Sequence, residues 1–573
     1  METRTENIKD FILKDIGKEI KEILYGYLKA ESFTYSEGEK DAEAFFLEHF
    51  SRLPYFQEHP EYMGTGPIPG DPFGRAAAWA MVRGGGPDTL VFIHHNDVVT
   101  VEDFKLLKPL AFSPDRLEEA LFRLRSTFSE EARADLDSGA YLYGRGVCDM
   151  KGGGAIQMAL LSRYASLILK EGPQILPGNL IVLAVPDEEN LSAGMREAVL
   201  LLARLQEKYG LEYRLMVNSE PHQRKDPRKG VFSTGSVGKL MPFVYVRGSL
   251  AHAGKVFEGF NPLNLMSEIV RRTELNMELS DTVGDEAAPP PTWLFFRDGK
   301  VKYDVSMPLS VSGCFSILTL NQTPGGILDK VRRICRDAFL HVVDEMNANY
   351  TQFLAATKQP CKRLPWEVKV VDFSQLCQEA RRNHGQAFEK GYEEKLVSLK
   401  KKLNQEEMSL LDCNFALVDY VYNYVDDLSP QVVFGLLPPY YPNVSNLFLE
   451  GLPPQVKNIG QLLGDYTQEA FGQEYVTESF YTGISDLSYT SISRSQEILQ
   501  ALEASMPLFG TLYHIPASAI EKISMPCVNI GPWGKDFHKL TERVHKEDLY
   551  ERTPRIIQYA ITKVLADSRR PSR

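Results

Sequence analysis

No C-x-x-C pair occurs in this sequence, and its seven cysteines (Cys148, Cys314, Cys335, Cys361, Cys377, Cys413 and Cys527) are scattered. That spacing implies neither a thiolate metal site nor a disulfide framework. No window approaches the roughly 20 consecutive apolar residues that a membrane span needs. The first stretch, METRTENIKDFILKDIGKEI, is a charged amphipathic pattern without an apolar signal core. Positive charge is in short supply: 64 Lys and Arg face 76 Asp and Glu, giving a net charge of −12. A nucleic-acid binder, or a protein drawn to an anionic membrane, needs the opposite balance. Internal repeats and low-complexity tracts are lacking too. These absences leave a globular protein, expected in the cytoplasm. At 573 residues one core is too little, so two or more domains are expected.

What is present is an alternation of apolar runs and helical patterns from about residue 75 to 220. AAAWAMV, TLVFIHH, GNLIVLAV and YRLMVN read as buried strands, while GGGAIQMALLSRYASLILK and SAGMREAVLLLARLQEKYG have helical spacing. Buried strands separated by such helices predict an α/β domain with a largely parallel sheet, whose ligands sit beyond the strands' C-terminal ends. Near residue 233 the pattern becomes that of a small antiparallel α+β module: half-exposed strands at GKLMPFVYVRGSLAHAG, VSGCFSILTLNQT and PWEVKVVDF, with helices at NPLNLMSEIVRRTELNMEL and PGGILDKVRRICRDAFLHVVDEMNANY. The expected division is a discontinuous catalytic domain, 1–232 and 376–573, with a lid inserted at 233–375. Within it, 376–428 reads as a charged helical elaboration solvated on its outer face.

Chemistry gathers where strands end. HHND (His94–Asp97), RGVCDMKGG (Arg145–Gly153), DEE (Asp187–Glu189) and NSEP (Asn218–Pro221) each bring potential metal ligands, and GPWGKDFHKLTE (Gly531–Glu542) places His538 after a glycine-rich turn. Taken singly, each is weak. A lone histidine is usually a satisfied core residue, and a carboxylate at a strand end is often a helix N-cap. Together, imidazole plus carboxylate without thiolate is the donor set of zinc, cobalt or manganese in a hydrolytic site. Two cations sharing a carboxylate would also explain why Glu188 and Glu189 crowd like charges together.

The order of these segments resembles the zinc-dependent aminoacylase, carboxypeptidase and succinyl-diaminopimelate desuccinylase family of dinuclear hydrolases. The resemblance spans roughly residues 15–560, and GRGVCDMKGG is close to a full match to its most specific signature. The chain's size, its HHND variant and the long helical segment look most like an arginine-utilisation branch of that family. The implied fold is a mostly parallel, zinc-peptidase-like catalytic sheet with an inserted ferredoxin-like α+β lid.

Carried over by position, the resemblance makes His95 and Glu220 ligands of one metal, Glu189 and His538 ligands of the other, and Asp149 the bridge. Asp97 would back His95 through its second ring nitrogen. His94 is the rival for His95, but its spacing to Asp97 does not fit the family's H-x-D pattern. Glu188 would be the general base and His252 the lid donor to the oxyanion. Ser485 and Asp486, in TGISDLSY, are substrate-side candidates. The implied activity is hydrolysis of an amide, in a short peptide or an N-acyl amino acid, within arginine or amino-acid catabolism. Its cofactor would be two divalent ions, zinc first, and no nucleic acid or membrane would take part. Relatives that bind a substrate carboxylate commonly carry an arginine on the lid strand, where this chain reads FSILTLNQTP without one. Extra residues in the lid leave the family's lid-to-lid homodimer open. Two alternatives stand beside this reading: a metal-free, silent relative with a binding or regulatory role, and a lidless cocatalytic aminopeptidase.

Overall fold

The computed structural model describes residues 2–300 and 302–566. They divide into two compact units. The first runs to Ser236 and takes in Val444–Ile492 and the stretch from Pro516; the second comprises Val237–Asn443 and Ser493–Ile515.

The first unit is built on an eight-stranded mixed sheet. Four of its strands, Asn179–Val185, Asp88–His95, Glu212–Asn218 and Cys527–Asn529, lie side by side and parallel. Asp88–His95 and Asn179–Val185 are buried along their whole length, as expected for strands covered on both faces. Ala76–Val82 and Met63–Pro67 extend the sheet antiparallel at one side. Gly230–Ser233 and Tyr475–Glu478 extend it at the other. The helix Lys151–Glu171 is apolar nearly all round and packs with Ile16–Tyr27 and Thr553–Ala566 in one large core.

The second unit carries a five-stranded sheet in the order Thr292–Asp298, Ser310–Thr319, Gly238–Arg247, Gln431–Tyr441, Val370–Asp372. Every pairing is antiparallel except the last. With helices Pro262–Thr273 and Pro324–Ala356 between strands, the first four strands follow the βαββαβ order of a ferredoxin-like fold. The fourth strand is Gln431–Tyr441, not the expected PWEVKVVDF, which contributes only the short edge strand Val370–Asp372. Helices Phe373–Asn404 and Leu410–Val421 are inserted just before that fourth strand. Their Phe388, Phe415, Leu417 and Val418 bury Phe243, Tyr245 and Val433 of the sheet. The expected boundary at residue 375 therefore differs from the observed one. The segment 376–428 covers the second sheet instead of elaborating the first domain, because its apolar stripe is spent on Phe243 and Tyr245. Among the described residues, no helix is long and apolar enough to cross a membrane.

Candidate metal centre

Strand register brings the acidic segments to one edge. His95 stands opposite Val185, and Ile93 opposite Asn218, which in turn pairs with Asn529. The turn Asp187–Glu189 and Glu220 lie just beyond strand ends, and Glu188, Glu189 and Glu220 bring donor atoms into the space at His95. Side chains alternate along a strand, and this separates the two adjacent histidines. His94 points back to the helix layer, its ring nitrogens 2.9 Å from Gln157 Oε1 and 3.2 Å from Tyr27 OH. Burial pushes its pKa down to about 4, so this ring is neutral and committed to the core.

Asp149 arrives on the loop before the helix Lys151–Glu171. Glycine is required at the start of that helix. A Cβ on Gly153 would come within 2.2 Å of the Ser219 carbonyl oxygen, and one on Gly154 within 2.5 Å of the His94 ring. The helix therefore sits directly on the strand ends and delivers Asp149 between His95 and His538. The loop is braced from below by a pair that sequence reasoning did not single out. Arg145, fully buried and stacked 5.3 Å from the Phe104 ring centre, pairs with Glu542. Glu542 Oε1 accepts N–H bonds from Gly146 at 2.8 Å and Asp149 at 3.4 Å. Burial raises the Glu542 carboxyl to about 7 despite the guanidinium.

The five residues expected as ligands come together. His95 Nε2 lies 3.0 Å from Asp149 Oδ1 and 3.5 Å from Glu220 Oε1. His538 Nε2 lies 3.1 Å from Asp149 Oδ2 and 2.8 Å from Glu189 Oε1. Two sets of three donors result, His95–Asp149–Glu220 and Asp149–Glu189–His538, each with its donor atoms within 4.8 Å of one another. Asp149 belongs to both, with one oxygen turned to each histidine. A third grouping of the same span joins His95, Glu188 and Glu189. Behind His95, the Nδ1 atom is 3.0 Å from the Asp97 carbonyl oxygen and 3.4 Å from its carboxylate. The Asp97 carboxylate also accepts from the Glu188 and Glu189 N–H groups and from Thr34 Oγ1.

The electrostatics are those of an uncompensated acidic site. Burial, reinforced by neighbouring carboxylates, lifts Glu188 and Glu220 well above the usual range and raises Glu189. Burial disfavours a charged His95, but Glu220, Asp149 and Asp97 carry its pKa well above the ordinary value. Bonds to Asp149 and Glu189 raise His538 to about 10. Asp149 is held low by the two imidazoles against the effect of burial. Among the described residues, Asp149, Glu189 and Glu220 pair with histidine and with no lysine or arginine. Oxygen and imidazole donors with excess negative charge fit divalent cations, and each three-donor set leaves a further coordination position free for water or substrate.

The other candidates are placed differently. Ser485 is fully buried, its Oγ accepting from Asn218 Nδ2 at 2.9 Å and from the Leu487 N–H at 3.2 Å. The hydroxyl anchors the short turn Asp486–Tyr489 to a strand end and offers no surface to a substrate. Asp486 is 3% exposed beside the Ser192 side chain, with neither carboxylate oxygen in hydrogen-bond geometry. Burial raises it to about 7, and its charge adds to that felt by Glu188. In the second unit, His252 is exposed on the loop after Gly238–Arg247, with Nδ1 accepting the Gly254 N–H at 3.0 Å.

Comparison with known proteins agrees with this chemistry. The sequence profile described as peptidase family M20/M25/M40 matches residues 124–562. Two proteins of Bacillus subtilis (strain 168) are each 28% identical: Protein RocB over 547 residues, 95% of this chain and 94% of RocB, and the uncharacterized protein YqjN over 553 residues, 96% of this chain and 97% of YqjN. The crystal structure of an M20 family metallo-carboxypeptidase, Sso-CP2 from Sulfolobus solfataricus, superposes with a TM-score of 0.52 at 11% identity, covering 95% of this chain and 98% of that one. At that identity the likeness concerns the fold.

Proposed function

This chain belongs to peptidase family M20/M25/M40, and from that premise we propose that it hydrolyses an amide bond, in a short peptide or an N-acyl amino acid, with two divalent cations as cofactor, zinc first among them. The observation that carries the proposal is the split of Asp149, one oxygen toward His95 and Glu220, the other toward His538 and Glu189. When bound, the cations supply Lewis acidity, lowering the pKa of a coordinated water toward ~7 and polarising the scissile carbonyl. His95 and Glu220 would hold one cation, Glu189 and His538 the other, and Asp149 would serve both sets. Glu188, buried beside them, takes the proton of the attacking water and hands it to the departing amine. Asp97 fixes the His95 ring and, through two N–H bonds, the backbone that carries Glu188 and Glu189. His252 supplies a donor to the oxyanion.

Similarity to RocB supports a substrate from arginine or amino-acid catabolism. The test is a screen of zinc-loaded protein against N-acyl amino acids and short peptides, arginine derivatives included, with released amine as the readout. Turnover of at least one class is expected. A purified protein that takes up no divalent metal and turns over none of the panel would favour the silent-relative reading. Changing His252 to alanine should lower kcat by about 10²–10³-fold, the range for loss of one oxyanion donor, with metal content and melting temperature unchanged. Wild-type kcat in that variant would remove the lid histidine from the reaction.

A further inference from the structure

The turn that carries Glu188 and Glu189 is secured on one side by Asp97 and on the other by side chains that have no part in the reaction described above. Asp187 has φ +72°, a left-handed conformation that a residue with a Cβ keeps only when its surroundings impose it. All three N–H groups of the turn are accepted by carboxylates. Asp187 donates to Glu39 Oε1 at 2.7 Å, Glu188 to Asp97 Oδ1 at 3.1 Å and Glu189 to Asp97 Oδ2 at 3.2 Å. Asp97 is tied to His95. Glu39, on the helix Gly38–Ser51, is tied to Arg75.

Arg75 Nη1 donates to Glu39 Oε2 at 2.6 Å and to Asp187 Oδ1 at 2.9 Å, while Nε and Nη2 are taken by Asp71 at 3.0 and 2.7 Å. The guanidinium lies beside the edge-to-face pair of Tyr35 and Phe73, 5.2 and 5.6 Å from their ring centres. Side chains of Arg75, Glu39 and Asp187 are 2%, 0% and 1% exposed. Such a buried ionic cluster is a poor device for stability, since apolar side chains of similar volume often do as well or better. Its planar, multidentate geometry is well suited to fixing direction.

We propose that Arg75 is a positioning residue, which through Glu39 and Asp187 sets the left-handed turn that aims Glu188 and Glu189 into the metal centre. The inference rests on the reading of Glu188 as the base and of Glu189 as a ligand.

The substitution Arg75→Lys keeps the charge and loses the planar fork. It should lower kcat by about 10- to 100-fold, as misplacement of a reacting group does, with KM within about twofold of wild type. A readout independent of turnover is cobalt(II) binding to the stripped protein, followed by absorption. The weaker of the two affinities should fall about tenfold, because Glu189 shares the turn. Wild-type kcat with unchanged cobalt affinity overturns the proposal, as does a loss of activity matched by an equal loss of folded protein. Should Arg75→Lys not fold, Glu39→Gln tests the same linkage: it keeps an acceptor oxygen for Asp187 but releases Arg75. It should show the same kcat and cobalt pattern, and wild-type values for both overturn the proposal. Full activity in Glu188→Gln would instead defeat the base assignment. The cobalt measurement would still decide the Arg75 linkage to Glu189.

Discussion

Replacing Glu188 with glutamine should lower kcat by about 10²–10⁴-fold, the range for loss of a general base, while the protein still binds divalent metal. Glutamine fills the same volume in a position only 8% exposed but cannot accept and return a proton. Metal content separates two roles for this residue. Glu188 lies in a grouping with His95 and Glu189 whose donor atoms are within 4.8 Å, so it could serve as a ligand. In that case the variant would lose metal together with activity. As a base, it should lose activity alone. Stability gives a second check. Burial and the neighbouring Glu189, Asp486 and Glu220 push the Glu188 carboxyl far up, so removing its charge relieves repulsion. The stripped variant should therefore melt no lower than stripped wild type. Unchanged turnover in a fully loaded variant would remove the proposed base.

The second large effect concerns metal removal and its dependence on pH. A carboxyl whose pKa rises on folding opposes the folded state once it ionises. Glu188, Glu189 and Glu220 all rise from 4.5, so in stripped protein they cost progressively more stability as pH climbs above that value. A histidine whose pKa rises on folding stabilises the fold while protonated. That contribution is complete below the unfolded value of 6.5 and is lost as pH rises through the folded one, about 10 for His538. Both trends run the same way. Asp149 and Asp97, held below their usual values, lose their contribution only on acidification. Stripped protein should thus melt at falling temperature from pH 6 to pH 9. Loaded protein, its acidic donors compensated, should change far less. The gap between the two should widen by a few degrees across that window, given that about 1 kcal/mol moves Tm by ~2 °C or less in a unit larger than about 250 residues. Thermal melts before and after chelation at each pH would measure it, and parallel pH profiles would contradict it.

Much of the centre could be read from residues in a row. The strands ending in His95, Val185 and Asn218 are continuous apolar runs, so their C-terminal ends, and the carboxylates just past them, were placed by pattern alone. What the pattern could not rank was His94 against His95 on physical grounds. The decision lies in which face of the strand meets the helix Lys151–Glu171, and only packing shows that Gln157 and Tyr27 claim His94. Braces formed by residues far apart in the chain were illegible for the same reason. Arg145 meets Glu542 across 397 positions and Arg75 meets Asp187 across 112, and an isolated arginine next to a glycine or an alanine carries no sign of either. The resemblance of TGISDLSY to the family's Gly-x-x-Asp loop makes Ser485 a substrate-side candidate, but its hydroxyl accepts from Asn218 Nδ2 and the Leu487 N–H. The second unit's limits were hidden by resemblance between strands. Gln431–Tyr441 is buried along its whole length like Ala76–Val82 and Asn179–Val185 of the first sheet, and nothing in its composition says which sheet it joins.

The shared carboxylate of Asp149 has a thermodynamic consequence. A single rigid group whose two oxygens serve separate three-donor sets makes occupancy of either set an event for both. In the proposed dinuclear centre, His95 with Glu220 and His538 with Glu189 would each draw on the orientation of that one carboxylate. The two affinities would then be coupled, so that a change at one set would be felt in the titration of the other.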